Sequence, residues 1–214
     1  MARWAAIAAL TCSSILCAQQ APSASAAAST AETPAAAAAP ATVDVILHTA
    51  LGDIRVALET QRAPLTAANF LRYVDQKRFD NITFYRGVKV GDDGMYGLVQ
   101  GGLKGNPKLV LKPVAHEPTT VTGLSHLDGT LSMARRDPGT ATADFFIVVG
   151  DLTTLDATPD GADPGYAAFG RVTMGMDIVH QMLELPRSQE AGDGSMKGQM
   201  LAEPVKVLSV RRAP

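Results

Sequence analysis

The 214-residue sequence predicts a mainly β domain, a closed eight-stranded antiparallel β-barrel capped by two α-helices. Three observations predict this class: strand-length runs of alternating apolar and polar residues, only two segments with helical periodicity, and long connections rich in Gly, Pro and Asp. Alternate side chains would fill the interior of such a barrel, leaving no spare room there. We therefore expect functional residues on the outer face or in the long loops.

The first two strands have the clearest pattern. Residues 43–47 and 54–58 alternate between apolar and polar side chains, and Ala50-Leu51-Gly52-Asp53 lies between them as a turn. This combination is typical of a β-hairpin. Six further segments have strand-like composition: Ile82–Arg86, Leu98–Gln100, Thr130–Met133, Phe145–Val149, Ala167–Val172 and Val205–Arg211.

Two segments carry helical periodicity. After Pro64, which suits a first helical turn, apolar residues recur at i, i+3, i+4 and i+7 between Ala67 and Val74. A second, shorter helix is predicted around Met174–Leu183, where Met176, Val179 and Leu183 share one face. Both helices are amphipathic and so are expected to pack one face against the barrel.

Residues 1–26 have the order of a secretory signal peptide. Arg3 precedes an uncharged apolar run, and Ala24-Ser25-Ala26 offers small residues for cleavage. The run is shorter than the roughly 20 residues that a spanning helix needs. Two alternatives remain, a buried N-terminal helix and lipid modification of Cys12 or Cys17. If the segment is removed, the mature chain has neither cysteine and no transmembrane span, and we expect it in the periplasm.

Residues 27–42 are low in complexity and contain no large apolar side chain, which predicts a flexible linker. The folded domain is then residues 43–214, long enough for one domain with its own core. The net charge is −2 and Lys and Arg form no long run, so nothing indicates nucleic acid or a membrane surface as a partner.

Short motifs follow one another in an order that resembles the cyclophilins, the peptidyl-prolyl cis–trans isomerases. The resemblance extends from Val43 to about Met182, and with the signal peptide it is similar to the secreted bacterial branch of that family. The motifs that carry it are FYR at 84–86, QGG at 100–102, GTLSMARR at 129–136, DFFIVVGD at 144–151 and YAAFGRV at 166–172.

The resemblance implies an isomerase that acts on X–Pro bonds of proline-containing polypeptides and assists their folding. It implies that Arg86 is the catalytic residue and that Gln100 hydrogen-bonds the substrate backbone. We expect a monomer that needs no metal or cofactor. The remaining implied substrate-binding residues are Leu98, Phe146 and Leu155 in the proline pocket, Ala134 and Arg135 along the extended peptide, and Tyr166 at the pocket rim.

The chain departs from the family pattern at three places. Arg86 and Gln100 are fourteen positions apart, farther than is usual, and Gly97 stands where a pocket phenylalanine is expected. We expect Tyr96 to lean in as a substitute. Thr154 replaces a residue that is commonly aromatic. These departures leave a second function open, a proline-peptide binding module or holdase chaperone with weak turnover on the same fold.

The third departure is Asp144, which stands where the family typically has glutamine. It lies two residues before Phe146, so both side chains are predicted to share one strand face. We expect Asp144 to line the pocket and to pair with Arg86 or Arg135. The four histidines, His48, His116, His126 and His180, are scattered along the chain and are interpreted as structural or solvated.

Overall fold

The computed structural model describes residues 41–91 and 94–214. Eight strands form a closed antiparallel barrel in the order β1-β2-β7-β5-β6-β4-β3-β8, which confirms the predicted fold class. The predicted signal peptide and residues 27–40 of the predicted linker lie outside the described residues. The strands are β1 Val43–Thr49, β2 Gly52–Leu58, β3 Thr83–Val90, β4 Tyr96–Gly102, β5 Thr130–Met133, β6 Phe145–Val149, β7 Ala167–Met174 and β8 Met200–Arg212.

Both predicted helices are confirmed, as α1 (Pro64–Asp75) and α3 (Met176–Glu184). The described residues contain one further α-helix, α2 (Thr119–Thr122), which was not predicted. It is a single turn between Pro118 and a left-handed Gly123, too short to produce a periodic pattern. No helix within residues 41–91 or 94–214 combines the length and the hydropathy that crossing a membrane requires.

The barrel interior is filled by aromatic side chains from α1 and the strands. The Phe70 ring lies 5.3 Å from the rings of both Phe145 and Phe169, and Phe84 packs edge-on to Phe145 at 5.7 Å. All four side chains are at most 1 % exposed. Because strand residues alternate between faces, an inward Phe145 sends the next residue, Phe146, to the outer face. The packed core thereby fixes which β6 side chains are available for function.

The hairpin of β3 and β4 is longer than predicted and contains the extra residues between Arg86 and Gln100. Pairing continues from Arg86 out to Val90, which lies opposite Tyr96. Gly97 allows this hairpin to pack closely, because a Cβ there would collide with the Val88 carbonyl oxygen and lie 3.1 Å from Leu183 of α3. The extra residues therefore lengthen the paired strands β3 and β4 beyond the Arg86–Gln100 pair.

Candidate active site

A row of paired residues crosses four neighbouring strands on the outer face of the barrel. Arg86 of β3 pairs with Gln100 of β4, Gln100 pairs with Phe146 of β6, and Phe146 pairs with Ser132 of β5. Directly opposed residues in antiparallel strands project to the same side of the sheet. Sheet register thus brings together an arginine, an amide and an aromatic ring that are far apart in sequence.

A β-bulge at Tyr85 gives the row its polar end. Phe84 pairs with Gly101 and Arg86 pairs with Gln100, so Tyr85 is an extra residue on β3. Bulges redirect side chains. Here the consequence is that two consecutive residues reach one amide: Gln100 Nε2 donates to the Tyr85 hydroxyl at 2.8 Å, and Arg86 Nη1 donates to Gln100 Oε1 at 2.7 Å.

The Arg86 guanidinium is held from a second side by Gln199. Its Nε and Nη2 groups donate to Gln199 Oε1 at 2.9 and 2.5 Å. Burial lowers the pKa of Arg86, yet an arginine remains a cation at any physiological pH. The half-buried side chain is thus a fixed hydrogen-bond donor that faces outward beside Phe146.

An apolar cluster lies on the same outer face as the guanidinium, where the sequence predicts the proline pocket. Phe146 is only 3 % exposed, and the side chains packed around it are partly exposed. Most of the residues that the sequence assigned to a proline pocket are gathered here. The cluster consists of Phe146, Val148 and Leu152, against which Leu98, Ala134, Leu155 and Tyr166 pack.

The pocket floor rests on a buried histidine. His126 is fully buried and lies nearly parallel to Phe146, with ring centroids 6.1 Å apart. Its Nδ1 lies 2.5 Å from Asp156 Oδ1 and its Nε2 lies 2.8 Å from Ser132 Oγ. Burial lowers the pKa of His126, which favours the neutral ring, and a proton on Nδ1 satisfies both partners. The interpretation of His126 as structural agrees with this geometry.

Arg135 and Tyr166 stack on each other beside the apolar cluster. The Arg135 guanidinium carbon lies 4.8 Å from the centroid of the Tyr166 ring, and the Arg135 Nε and Nη2 groups donate to the Gly165 carbonyl oxygen. Tyr166 in turn meets Phe146 edge-on at 5.5 Å. Tyr166, predicted at the rim, and Arg135, predicted along the extended peptide, are therefore neighbours that hold each other in place.

The predicted ion pair of Asp144 with Arg86 or Arg135 is wrong. Asp144 Oδ1 accepts the backbone N–H of Lys104 at 2.9 Å, and no ion pair found within residues 41–91 and 94–214 includes Asp144. Burial raises the pKa of Asp144, while neighbouring backbone N–H groups and the Tyr85 hydroxyl act against that rise. Backbone N–H groups of the loop after β4 already donate to the Asp144 carboxylate, so it does not require a guanidinium as a partner.

Tyr96 does not enter the apolar pocket as a substitute for the missing phenylalanine. Its ring lies against Gly150, where a Cβ would collide with the ring, and 43 % of the residue is exposed. The cause is register: Tyr96 is two positions beyond Leu98, which pairs with Val148. Tyr96 therefore extends the outer face past the pocket, and Thr154 is exposed at the other margin.

Sequence reasoning missed three contributors to the site. Gln199 is 113 positions from Arg86, and no local pattern marks it. His126 was recognised only as structural, without its contacts to Asp156 and Ser132. Tyr85 lay within the recognised FYR motif, but its bond to Gln100 depends on a bulge that residue types alone do not indicate.

Comparison with known proteins agrees with this geometry. Residues 43–212 match the family model for cyclophilin type peptidyl-prolyl cis-trans isomerases. A peptidyl-prolyl cis-trans isomerase of Acinetobacter baylyi is 34 % identical over 78 % of this chain and 84 % of its own length. One from Streptomyces antibioticus is 36 % identical over 77 % of this chain and 98 % of its own length.

A solved cyclophilin-type isomerase of Cryptosporidium parvum has the same fold. It superposes with a TM-score of 0.64 at 21 % identity and covers 80 % of this chain and 99 % of its own. The structure is a closed antiparallel barrel with an arginine and an apolar cluster on its outer face. The chain belongs to the cyclophilin-type peptidyl-prolyl cis-trans isomerase family.

Proposed function

We propose that the protein catalyses rotation about X–Pro peptide bonds, with Arg86 as the catalytic residue. The observation that carries this proposal is the row on the outer barrel face, in which the Arg86 guanidinium lies beside Gln100 and the buried ring of Phe146. A proline ring seated on Phe146 would place its imide nitrogen toward the guanidinium. The Cryptosporidium parvum relative was crystallised with the dipeptide Ala-Pro, which supports a proline-containing substrate.

The proposed reaction requires mainly a hydrogen-bond donor held in the correct position. Rotation of an X–Pro bond is slow, taking tens to hundreds of seconds, because resonance gives the C–N bond partial double-bond character. In the twisted state the nitrogen lone pair is no longer conjugated and can accept a hydrogen bond. A donor held against it stabilises the twisted state more than the planar ground state, and this difference lowers the barrier.

The other site residues bind and orient the peptide. Gln100 donates one amide N–H to Tyr85, and its second N–H remains to hydrogen-bond the substrate backbone. Leu98, Phe146 and Leu155 enclose the proline ring and exclude water. Ala134 and Arg135 lie along the path of the extended peptide, with Tyr166 at the rim. Tyr96 lies farther out against Gly150, and Asp144 is bound to the loop after β4.

A protease-coupled assay with a proline peptide tests the proposal. Wild-type protein should accelerate cis-to-trans conversion above the uncatalysed rate, and Arg86→Ala should remove most of the acceleration. A folded wild-type protein with no activity would contradict catalysis. It would favour the second candidate, a proline-peptide binding module or holdase chaperone with weak turnover, in which peptides bind the pocket without faster exchange.

One observation favours that second candidate. The lengthened hairpin places Gly97 where a pocket aromatic is expected and sends Tyr96 against Gly150, so the pocket wall on this side is lower. A lower wall excludes less water and positions the proline ring less firmly, which weakens turnover more than binding. Exchange spectroscopy at saturating peptide separates the two, since it measures the rate of isomerisation in the bound state directly.

The place of action that we propose is outside the cytoplasm. The order Arg3, apolar run and small residues in residues 1–26 supports export, and the bacterial relatives are compatible with the secreted bacterial branch. The exported chain should begin near residue 27 and be a soluble periplasmic monomer that helps client proteins to fold. Intact-mass measurement of the exported protein tests this, and retention of Cys17 carrying lipid would contradict it.

A further inference from the structure

The segment between α3 and β8 folds back on itself. Ser188 N donates to the Met200 carbonyl oxygen, and Ala202 N donates to the Pro186 carbonyl oxygen, both at 2.9 Å. A β-bridge joins Arg187 to Leu201 between these two bonds. We name residues 186–200 the return loop. Its two ends are fastened together, so its last residues have a defined position relative to the barrel.

The return loop is attached to β3 immediately after Arg86. Gly87 N donates to the Gln199 carbonyl oxygen at 3.0 Å. The carbonyl oxygen of the same Gly87 accepts Arg187 Nε at 2.7 Å, and Arg187 Nη2 donates to Leu183 of α3 at 2.6 Å. The return loop is therefore hydrogen-bonded to β3 through both the N–H and the carbonyl oxygen of Gly87. These backbone contacts do not depend on the Gln199 side chain.

The Gln199 side chain fixes the plane of the Arg86 guanidinium. Arginine has five N–H donors. Three are used, because Nε and Nη2 donate to Gln199 Oε1 and Nη1 donates to Gln100 Oε1. One N–H on each terminal nitrogen remains for substrate. Acceptors on two sides of the guanidinium prevent it from turning about the Cδ–Nε bond.

We propose that Gln199 is a positioning residue for the isomerase reaction, which acts by holding the Arg86 donors toward the twisted X–Pro nitrogen. The inference rests on the proposed role of Arg86. An arginine free to rotate must be ordered in each catalytic event, whereas a fixed one is already ordered. The benefit falls on the twisted state, where the hydrogen bond to nitrogen exists, more than on the bound planar peptide.

The test compares Gln199→Leu with Gln189→Leu. Gln189 is an exposed glutamine of the same return loop that makes no side-chain hydrogen bond among the described residues, so the control carries the same chemical change. We expect Gln199→Leu to lower kcat/KM about tenfold with KM nearly unchanged, as for loss of hydrogen bonds to a charged group. The control should keep wild-type values. Wild-type kcat/KM in folded Gln199→Leu would overturn the proposal.

A double-mutant cycle separates positioning from general damage to the loop. If Gln199 acts through Arg86, Gln199→Leu should cause no further loss in an Arg86→Ala background. An equal loss in both backgrounds would overturn the positioning role. Equal activity of wild type and Arg86→Ala would instead contradict the proposed catalytic residue, so failure of the proposed function is seen separately.

The guanidinium can also be observed directly. The Arg86 Nε–H resonance should be distinct and slow to average in wild type, and should move toward free-arginine values in Gln199→Leu. Gln199→Glu keeps oxygen acceptors at the same reach and should preserve the wild-type behaviour of that resonance, which also covers the case in which the leucine variant does not fold. A resonance that is averaged in wild type would overturn the proposal.

Discussion

The two halves of the site are held by different forces. The apolar half, around Phe146, rests on core packing, since Phe146 and Val148 are almost fully buried and His126 lies beneath them. The polar half, around Arg86, is held by side-chain hydrogen bonds to the buried Gln100 and to Gln199. We infer that substitutions in the first half change stability and binding together, and that those in the second half change catalysis far more than stability.

The largest effect is expected from Arg86→Ala, which removes the proposed donor. Loss of a single preorganised transition-state donor typically lowers turnover by about 10²–10³-fold, and we expect a loss in that range. The melting temperature should fall by only a few degrees, because Gln100 and Gln199 lose their hydrogen bonds to the guanidinium, a loss of about 1–3 kcal/mol. Kinetics and thermal unfolding on the same samples check both statements. An unfolded variant would show that Arg86 is structural and would remove the distinction between the halves.

Phe146→Ala tests the apolar half and should behave in the opposite way. The ring is 3 % exposed, so its removal leaves a cavity and should cost about 3 kcal/mol of unfolding free energy. KM for a proline peptide should rise, because the floor of the pocket is lost. Chemical denaturation and peptide titration measure the two effects. Weak binding with unchanged stability would mean that the Phe146 ring serves binding only and does not stabilise the fold.

The pH dependence of the free energy of unfolding tests the apolar half through His126. Burial holds its pKa below the usual 6.5, so the neutral ring stabilises the fold at pH values above 6.5, and this contribution is lost as the pH falls through the lowered pKa. His126→Gln should therefore unfold more easily than wild type at pH 7, and the difference should shrink at acidic pH. Thermal unfolding between pH 7 and 5 measures it.

A matched control is available in His180→Gln on the exposed surface of α3. It should change the melting temperature little at pH 7, since its side chain has no buried partners to lose. If His126→Gln and wild type differ by a constant amount across the pH range, the buried ring does not carry the proposed linkage.

The smallest effect is expected at Asp144, which is hydrogen-bonded to the loop after β4. Burial raises its pKa above 3.8, so its contribution to stability is complete below pH 3.8 and is lost as the pH rises through the raised pKa. Asp144→Asn keeps an oxygen acceptor for Lys104 and should be at least as stable as wild type at pH 7, with the difference vanishing near pH 3. Denaturant unfolding at both pH values checks this, and a variant less stable at pH 7 would contradict it.

The sequence predicted the strand that carries the apolar half, because strand alternation is a local pattern, whereas the binding role of Phe146 came from the resemblance. β6 has the predicted bounds Phe145–Val149, and Phe146 lies on the outer face, as strand alternation requires. The polar half was predicted only in part, since Arg86 and Gln100 were identified through a resemblance and their partners were not. Gln199 reaches Arg86 only after a return loop has closed, and residue types near either position do not encode that closure.

Asp144 shows the same limit of prediction from sequence, since here a partner was predicted and the predicted partner was wrong. The two-residue spacing to Phe146 predicted that Asp144 lines the pocket, but its hydrogen-bond partner is set by the path of the loop after β4. Opposite charge suggested an arginine, whereas backbone N–H groups were nearer. Charge pairing is therefore a poor guide where a loop of unknown path supplies competing donors.

Closure of the barrel has a consequence for a protein that meets unfolded chains. Each of the eight described strands has a strand neighbour on both sides, so the sheet offers no unpaired edge. An exposed edge would let an extended client add itself as a ninth strand and remain bound, which is the usual route to edge-to-edge aggregation. Under the proposed function, a client therefore contacts the barrel only laterally, near Ala134, and is free to leave once its proline has isomerised.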